Sequence, residues 1–483
     1  MVTFLTDPKR SVNQRSTNWI RSFFAWRITF SMVDDILNLQ PCQVELLTSF
    51  YSILELLMRF KAAVRRLESL LNYEKKPGYD YNLDDYRQFL AGIGSPHQRL
   101  RSVILIAGTK GKGSTGMILS SLLSAFGKRV GLFNSPHLID VRERIRINNK
   151  KIPKATFARY IKDVVARIKS PQGIRSYFEA LVTIATLYFL DEAVDYAIFE
   201  VGMGGRKDAT NVHRPILSII TRIGHDHERF LGRNLDQIAR EKAGIIHDRA
   251  PVILARQLPS VHRIITEIAE ERGSRCYYVE DELRVEILNQ DLHGSHLLIK
   301  EDGEIFTCEF PLIGYHQIEN LKAALFAARL LGVDRRSIQA GLRRVRVPAR
   351  IEVIDSQPRV ILDTAHNPQS FNALARVLPQ IVSGRLIVVF GISKGKNWSI
   401  LKKKILPWSY ETIITKASLP RATEPAVLAR KIPARIIDKV GEAVTTALDL
   451  ASPEDTILIT GSFYIAGEAI EALRDLGVKV QIP

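Results

Sequence analysis

A glycine- and lysine-rich segment that directly follows an apolar run is the first feature able to do chemistry. Residues 108–114 come after the apolar stretch Ser102–Ala107 and precede a helical pattern. Glycines let backbone N–H groups wrap an anion, and the N-terminus of the following helix adds its positive end. Lys112 can reach β- and γ-phosphates, and Ser114 offers a hydroxyl to phosphate or Mg²⁺. We therefore predict a nucleotide-binding loop rather than a flexible turn that happens to contain lysines. Its residues are Gly108, Thr109, Lys110, Gly111, Lys112, Gly113 and Ser114.

A carboxylate at the end of another apolar run is the second candidate. The run Asp195–Glu200 predicts a buried strand, and ligands of open α/β sheets bind at the carboxyl ends of the strands. A carboxylate at that edge, Glu200, can hold Mg²⁺, which prefers oxygen ligands. Gly204, Gly205 and Arg206 follow as a tight turn. Arg206 could balance carboxylate or phosphate charge there, unless the turn is only a plain connection.

The elements that must position these groups alternate between strand and helix. Strands separated by helices of ten or more residues indicate a doubly wound parallel sheet, whose buried strands are continuous apolar runs. The first series of expected strands is Ser102–Ala107, Arg129–Phe133, Asp195–Glu200, Ile216–Thr221 and Pro251–Ala255, with antiparallel strands over Tyr277–Phe310. A second series is Arg359–Asp363, Arg385–Phe390, Glu411–Thr415 and Thr456–Thr460. We therefore predict an α/β fold with a larger domain over residues 76–347, a linker at Pro348 and a smaller domain over residues 351–483.

The first 75 residues lie outside this pattern and form an N-terminal extension that is either disordered or helical. The most apolar stretch, Val44–Phe60, contains two glutamates and is too short to span a bilayer, so it is interpreted as an amphipathic helix running on through Leu70. Residues 1–33 hold five basic residues against one acidic residue, which weakly resembles an organelle transit peptide. A disordered tail or an upstream extension of the reading frame explains them better. We expect a cytoplasmic protein, with organellar targeting left open.

The net charge and the residue composition limit the classes of partner that we expect for this chain. Lys and Arg number 68 against 51 Asp and Glu, a net charge of +17, in a chain of 483 residues of which 46% are hydrophobic. That mixture excludes a mainly disordered, collagen-like or coiled-coil chain. The basic excess is spread along the chain without a nucleic-acid motif, so we expect small anionic ligands, with no nucleic acid or membrane partner, and a monomer. The three cysteines are scattered and argue against a disulfide scaffold or a zinc ribbon.

Motifs that recur in a fixed order carry a family resemblance. The loop at residues 108–114 resembles that of the folylpolyglutamate synthase/dihydrofolate synthase family, a branch of the Mur ligases. Further segments similar to that family are Ser135–Leu138, Val141–Asn148, Glu200–Asn211, Ile223–His227, Arg240–Ile245, His316–Asn320, Asp363–Pro368 and Gly461–Glu468. One motif alone is moderately specific, whereas the ordered set is very specific. The resemblance implies a Mur-ligase-like P-loop domain that binds ATP and folate, followed by a smaller Rossmann-like glutamate-ligase domain.

The resemblance implies a metal centre. It assigns Mg²⁺ binding, with two ions expected, to Glu200, the Ser135 hydroxyl and His227. Without the resemblance, Ser135 would be interpreted as a helix cap. His227 would be interpreted as a surface histidine or as a core histidine whose hydrogen bonds are satisfied. Lys242 would be carbamylated, so that an anion orients the second Mg²⁺; a single lysine on a helix is otherwise a solvated residue.

The resemblance also distributes substrate roles. Asn320 would hydrogen-bond adenine, and Arg350 would reach phosphates from the linker. Asp363 and His366 would help bind L-glutamate and complete the ATP site; without the resemblance they read as a surface pair in a turn. Phe178 could stack on a pterin, although a core role is equally open. The implied catalytic residues are Lys112, Lys242, Asp363 and His366. The implied acceptor-binding residues are Phe178, Gly205, Arg206, Lys207 and His366.

The implied activity is ATP-dependent addition of L-glutamate to dihydropteroate, to folyl-(poly)glutamate, or to both, through an acyl phosphate, with release of ADP and phosphate. A cell-wall or poly-γ-glutamate ligase of the Mur type is the alternative, and a nucleotide-binding module without ligation is a third hypothesis. Lys110, Lys207, His225 and Ala349 depart from the family's usual residues. None of these changes removes a group that the chemistry needs, but they leave the preferred acceptor open.

Overall fold

The computed structural model describes residues 58–70, 82–168, 176–225, 228–232, 234–354 and 356–480. Residues 58–68 are helical, and the rest of the Val44–Phe60 prediction lies outside the described residues. The chain from Ala62 to Pro483 forms one compact unit. Among the described helices, none combines the length and the apolar character needed to cross a bilayer.

An eight-stranded sheet organises the first part of this unit. Its strands are β1 (Val103–Ala107), β2 (Val130–Phe133), β3 (Ile145–Ile147), β4 (Lys150–Lys151), β5 (Tyr196–Glu200), β6 (Pro215–Ile220), β7 (Val252–Leu254) and β8 (Cys276–Tyr278). Their spatial order is β4-β3-β2-β5-β1-β6-β7-β8, with β3 and β4 antiparallel at one edge and the other six parallel. The central strand β1 is buried along its whole length, as a parallel strand covered on both faces must be.

Helices and a small antiparallel sheet complete this part. The helices are α1 (Leu83–Gly92), α2 (Pro96–Arg99), α3 (Lys112–Ala125), α4 (Lys154–Ala166), α5 (Tyr177–Asp191), α6 (Glu228–Leu231), α7 (Leu235–Ala243), α8 (Pro259–Glu271), α9 (Val279–Glu282), α10 (Tyr315–Leu330) and α11 (Arg335–Arg343). The added strands, β9 (Leu283–Asp291), β10 (Gly294–Glu301) and β11 (Glu304–Phe310), are antiparallel, as expected over Tyr277–Phe310. Their inner face shares one hydrophobic core with α3, α10, α11 and the large sheet.

A six-stranded sheet forms the second part. Its strands are β12 (Arg350–Ile354), β13 (Arg359–Asp363), β14 (Leu386–Phe390), β15 (Glu411–Lys416), β16 (Arg435–Lys439) and β17 (Thr456–Thr460), in the order β12-β13-β17-β14-β15-β16. All are parallel except the edge strand β12. The helices are α12 (Pro368–Ile381), α13 (Ser399–Lys404), α14 (Pro425–Ala429), α15 (Val440–Leu450) and α16 (Phe463–Asp475). Two hydrophobic clusters, built from alternate residues of these strands, lie on the two faces of the sheet.

The α/β prediction is confirmed, and the main difference lies where the two sheets join. Arg350 was expected in a linker, but it is the first residue of β12 and pairs with Asp363 of β13. The strand begins with an irregular register, and Ala349 and Ile351 on either side of Arg350 both have a φ of 52°. The proposed division between residues 347 and 351 remains a prediction.

Candidate active site

Residues that follow strands of both sheets line one cleft of about 1520 Å³. The larger sheet contributes the loop after β1, Ser135 after β2 and the turn after β5, while the smaller sheet contributes His366 after β13 and Phe463 after β17. Ligands of open α/β sheets bind outside the carboxyl ends of the strands, and clefts between two such layers are common ligand sites. The cleft is therefore the candidate active site.

Two glycines give the loop after β1 its shape. Gly108 and Gly111 have φ values of 145° and 91°, a conformation that side chains other than glycine rarely adopt. A Cβ atom at Gly108 would overlap with the hydroxyl of Thr221, and one at Gly111 would overlap with the side-chain oxygen of Asn320. The loop is thus held against β6 on one side and α10 on the other.

The loop amides divide into two groups. The N–H groups of Thr109 and Lys110 donate to the carbonyl oxygen of Arg222, at 3.0 and 3.3 Å, so they do not turn into an anion site. The Thr109 hydroxyl donates to the carbonyl oxygen of Gly224 at 3.0 Å. Helix α3 begins at Lys112, and the first N–H groups of a helix have no partner within the helix. Anion binding by the backbone therefore falls to residues 111–114, a shorter segment than the seven-residue expectation.

Two lysines converge on this loop. The Lys112 ammonium donates to the carbonyl oxygen of Gly108 at 3.3 Å and lies 3.9 Å from the Glu200 carboxylate. The Lys242 ammonium, on α7, donates to the same carbonyl at 2.8 Å. Lys242 is buried, so the reading as a solvated helix residue is wrong. Two cationic side chains are therefore concentrated where a nucleotide would place its phosphates.

Glu200, at the end of β5, is a buried carboxylate in this cationic surrounding. Its Oε2 atom accepts the backbone N–H of Ser135 at 3.0 Å. Burial raises the pKa of Glu200, while Lys112, the Ser135 amide and Arg350 oppose that shift. A buried carboxylate whose ionised form is incompletely compensated favours a further cation. Among the described residues no group of three His, Cys, Asp or Glu side chains could hold a metal ion.

Of the two other predicted metal ligands, Ser135 and His227, the structure describes only Ser135. Ser135 meets Glu200 through its amide, and its side chain lines the cleft. His227 lies outside the described residues, so its assignment stays a prediction.

The turn after β5 is a wall of the cleft. A Cβ atom at Gly205 would lie 2.6 Å from the carbonyl oxygen of Glu241 and 2.8 Å from that of Lys242, so only glycine lets the turn approach α7 so closely. Arg206 pairs with the Glu241 carboxylate, and Lys207 is exposed beside it. Both line the cleft.

Phe178 combines the two roles left open for it. Its ring packs edge-on against Phe133, with centroids 5.5 Å apart, and covers Gly202, where a Cβ would come within 2.6 Å of the ring. The ring is only half-buried and lines the cleft. It is therefore part of the core and also offers a flat apolar surface to a ligand.

The smaller sheet supplies a buried carboxylate, an arginine and a histidine. The buried carboxylate of Asp363 accepts the N–H groups of Ile351 at 3.0 Å and Ala365 at 2.8 Å, and burial raises its pKa to about 6, opposed by Arg350. Burial lowers the pKa of the Arg350 guanidinium, opposed by Asp363 and Glu200. Arg350 also lies over the ring of Phe463, 4.9 Å from its centroid. Asp363 is thus a buried carboxylate that binds backbone amides beside Arg350, rather than a surface residue.

His366 faces the phosphate loop from the opposite side of the cleft. Its Nδ1 atom lies 2.9 Å from the carbonyl oxygen of Thr364, which can only accept, so Nδ1 carries the proton and Nε2 the lone pair. Burial lowers the pKa of His366 to about 3, and Lys110 acts in the same direction. The imidazole is therefore neutral at physiological pH.

Sequence reasoning missed Gln317 and Arg222, which line the cleft, and Gly467, which lets α16 pack against the first part of the unit. Gln317 is buried, and its Oε1 atom accepts a hydrogen bond from the side-chain amide of Asn320 at 3.0 Å. This bond orients Asn320, the residue predicted to bind adenine. Arg222 holds the loop amides through its carbonyl, which no side-chain pattern can reveal. Gly467 lets α16 pack on the Leu138 carbonyl, since a Cβ there would overlap with that oxygen. Gln317 and Gly467 both stand within quoted motifs, which was the available signal.

Two family models match the chain. The Mur ligase middle domain model matches residues 106–328, and the model described as "Mur ligase, glutamate ligase domain" matches residues 349–463. The two matches cover the two sheets described above.

Curated relatives are similar over most of the chain. The folylpolyglutamate synthase of Lacticaseibacillus casei is 30% identical over 427 residues, covering 83% of this chain and 99% of that protein. The probable bifunctional folylpolyglutamate synthase/dihydropteroate synthase of Haloferax volcanii is 31% identical over 433 residues, or 85% of this chain. This chain spans about half the length of that relative, 50%.

Solved structures share the fold. Mycobacterium tuberculosis folylpolyglutamate synthase complexed with ADP and AMPPCP has a TM-score of 0.78 at 28% identity, covering 88% of this chain and 100% of that chain. Escherichia coli FolC in complex with DHPP and ADP has a TM-score of 0.76 at 28% identity, covering 86% and 98%.

Proposed function

Because this chain belongs to the folylpolyglutamate synthase/dihydrofolate synthase family of the Mur ligases, we propose that it joins L-glutamate to folate acids in an ATP-dependent reaction. Membership confirms the resemblance that its motifs carried. The acceptor is dihydropteroate, folyl-(poly)glutamate, or both, and the products are the amide, ADP and phosphate. The observation that carries the proposal is the convergence of Lys112, Lys242 and Glu200 on one phosphate loop inside a cleft shared with a second sheet.

Activation of the acceptor carboxylate is the first task. Amide formation from a carboxylate and an amine is uphill in water, so the carboxylate attacks the γ-phosphorus of ATP, ADP leaves, and an acyl phosphate forms. Lys112 and the N–H groups of residues 111–114 stabilise the charge on the transferred phosphoryl group, since positioning and charge neutralisation dominate such transfers. Asn320, oriented by Gln317, is proposed to bind adenine. Arg350 is proposed to reach the phosphates from β12.

Mg²⁺ fits the residues beside the loop. Glu200 would hold it, with the Ser135 side chain and His227 as further proposed ligands, and its chemistry there is to neutralise phosphate charge. The fit rests on the raised pKa of Glu200, whose burial leaves the carboxylate short of compensating charge.

Carbamylation of Lys242 is proposed as the second part of the metal site. The buried Nζ atom donates to the Gly108 carbonyl at 2.8 Å. A carbamate nitrogen keeps one N–H, so this bond can persist after the modification. The change from a cation to an anion would allow Lys242 to orient a second Mg²⁺, which an ammonium group cannot do.

Capture of the acyl phosphate by L-glutamate completes the reaction. The neutral Nε2 atom of His366 can accept a hydrogen bond from the amino group of glutamate and so aim its nitrogen at the acyl carbon. The amine attacks, the C–O bond to phosphate breaks, and the amine proton leaves with solvent or phosphate. Asp363 acts by holding Arg350 rather than by touching the reacting atoms. Because His366 and the phosphate loop lie on different sheets, the chemistry needs both parts of the unit.

Glutamate-dependent release of phosphate from ATP tests this function, with dihydropteroate and then tetrahydrofolate as acceptor and the product mass as a second readout. Lys112→Ala should lower kcat/KM by roughly a hundredfold or more, as losing a charge on the reacting group does. Lys162→Ala, an exposed lysine on α4 outside the cleft, is the matched control. Release with neither acceptor would refute the folate assignment. The relatives reported above do not favour the cell-wall or poly-γ-glutamate alternative.

A further inference from the structure

A second cavity of about 660 Å³ lies behind the turn after β5, and the proposed mechanism does not use it. Its volume falls in the range of ligand pockets, about 300–1,000 Å³. The start of α1 with Arg87 lines one side, and Arg272 with Asp248 lines another. Arg206 and Lys207 line both this cavity and the active-site cleft. The two spaces are therefore separated by a single turn of chain.

That turn forms a ridge whose backbone is held by hydrogen bonds and whose Arg206 and Lys207 side chains are exposed. The Arg206 N–H donates to the Glu241 carbonyl at 2.8 Å, and the side-chain amide of Asn211 donates to the carbonyls of Arg206 and Gly244, each at 3.0 Å. The Arg206 side chain is nevertheless 66% exposed. A ligand that crosses the ridge would thus meet a hydrogen-bonded backbone and two exposed cationic side chains.

The charge of the second cavity is positive. Of the charged side chains that line it, four are basic, Arg87, Arg206, Lys207 and Arg272, and two are acidic, Asp84 and Asp248; Arg206 also pairs with Glu241 beside the cavity. Arg87 pairs with Asp84 at 2.9 Å and Arg272 pairs with Asp248 at 3.0 Å, and all four side chains are at least half exposed. Exposed pairs of this kind contribute little to stability, so a ligand carboxylate can compete for the guanidinium groups.

We propose that this basic trough, defined by Arg87, Arg206, Lys207 and Arg272, binds the α-carboxylates of the γ-linked glutamate chain on an already glutamylated acceptor. The inference rests on the proposed function. The reacting γ-carboxyl is the last group of that chain, so it must lie at Lys112, and the earlier units must leave the cleft. Each unit keeps one free α-carboxylate. Crossing the ridge between the two cavities brings successive carboxylates to successive cations.

The trough predicts which acceptor this chain prefers. Dihydropteroate carries no glutamate and gains nothing from the trough, whereas each added glutamate gains a charged contact. Among acceptors with increasing numbers of glutamates, KM should fall with chain length. The effect should weaken as salt is added, because exposed charges are screened beyond about 8–10 Å at physiological ionic strength.

The test uses the full chain and the double variant Arg87→Gln/Arg272→Gln, whose residues lie outside the active-site cleft. Acceptors are tetrahydrofolates with one, three and five glutamates. For the pentaglutamate, KM should rise about three- to tenfold in the double variant, as expected for two exposed charge contacts, with kcat unchanged. KM for the monoglutamate should stay the same. Arg263→Gln, which removes an equally exposed arginine paired with Glu267 on α8, is the matched control and should change neither value.

The outcomes separate the two proposals. If no acceptor is glutamylated by the wild-type chain, the proposed function fails and the trough fails with it. If the monoglutamate is extended but KM does not depend on chain length, or the double variant keeps the full dependence, only the trough is refuted. Calorimetric binding of the pentaglutamate with AMPPCP, which does not require turnover, should show the same loss of affinity in the double variant.

Discussion

Replacing Glu200 by Gln should make the unliganded protein more stable and the enzyme inactive. Gln keeps an oxygen that can accept the Ser135 N–H, now 3.0 Å from Oε2, and it removes the charge from a buried position. Loss of the carboxylate also removes the proposed Mg²⁺ ligand. Stability and activity should therefore change in opposite directions, as they do when a site keeps a strained or poorly solvated group for function.

The sign of the stability change follows from two opposing effects on the Glu200 carboxylate. The Lys112 ammonium is 3.9 Å from Glu200, and attraction at about that distance is on the order of 4 kcal/mol at an effective dielectric constant near 20. Desolvation exceeds this attraction, because burial is the largest cause acting on the Glu200 pKa and the net shift is upward. The ionised side chain therefore costs the folded state free energy, and we expect Glu200→Gln to raise the free energy of unfolding at pH 7.5.

The direction of the Glu200 pKa shift determines how the stability difference between variant and wild type depends on pH. A raised pKa means that the folded state binds the Glu200 proton more readily than the unfolded state, so the cost of the ionised form is absent below the ordinary pKa of 4.5. This free-energy cost grows as pH rises through the folded-state pKa of Glu200 and is constant at higher pH. Urea unfolding at several pH values should show no difference between variant and wild type near pH 4 and an opening gap above it.

Activity is the second half of the same experiment. ATP- and glutamate-dependent product formation by Glu200→Gln should fall by roughly a hundredfold or more, because a bound metal supplies several kcal/mol of charge stabilisation in the transition state. Glu267→Gln, on the exposed face of α8, is the control and should leave both measurements unchanged. A destabilised Glu200→Gln protein at pH 7.5, or one with wild-type turnover, would refute the reasoning.

Three further substitutions test two close packing contacts and one proposed nucleotide contact. Gly205→Ala places a Cβ against two backbone carbonyls of α7, including that of Lys242, and should destabilise the fold by about 1–3 kcal/mol in urea unfolding; unchanged stability would contradict the close approach. Asn320→Ala should raise KM for ATP by about three- to tenfold, as loss of one hydrogen bond does, with KM for glutamate unaffected; the reverse pattern would remove Asn320 from the nucleotide site. Gly467→Ala places a Cβ against the Leu138 carbonyl oxygen and should destabilise the fold by about 1–3 kcal/mol in urea unfolding; unchanged stability would contradict this close packing.

Sequence patterns were most informative where burial dictates residue type. The runs at β1 and β14 are uniformly apolar because parallel strands are covered on both faces, so each could be located directly. The edge strand β16, Arg435–Lys439, reads Arg-Ile-Ile-Asp-Lys and is mostly exposed, so it carries no such signal. Strand β12 was missed for another reason, because it begins next to the residues of unusual φ that follow Pro348.

The candidate site could be predicted in kind but not in detail. Motif order was enough to name Lys112, Glu200 and Lys242, because side-chain type decides what each can do. The shared partner of the two lysines, the Gly108 carbonyl, is a backbone group that no residue type reveals. The same limit hid the Arg222 carbonyl, which turns two loop amides away from the anion site. Tertiary contacts of the main chain are set by the whole fold and leave little trace in local sequence.

Transfer of oxygen from the acceptor to phosphate tests the central claim most directly. The acceptor is prepared with ¹⁸O in its reacting carboxyl group, and the inorganic phosphate released during a single turnover with ATP and L-glutamate is analysed by mass spectrometry. Formation of an acyl phosphate predicts that one labelled oxygen from each carboxyl reaches inorganic phosphate. Unlabelled phosphate, or label found in AMP instead, would contradict phosphorylation of the folate acid before glutamate captures it.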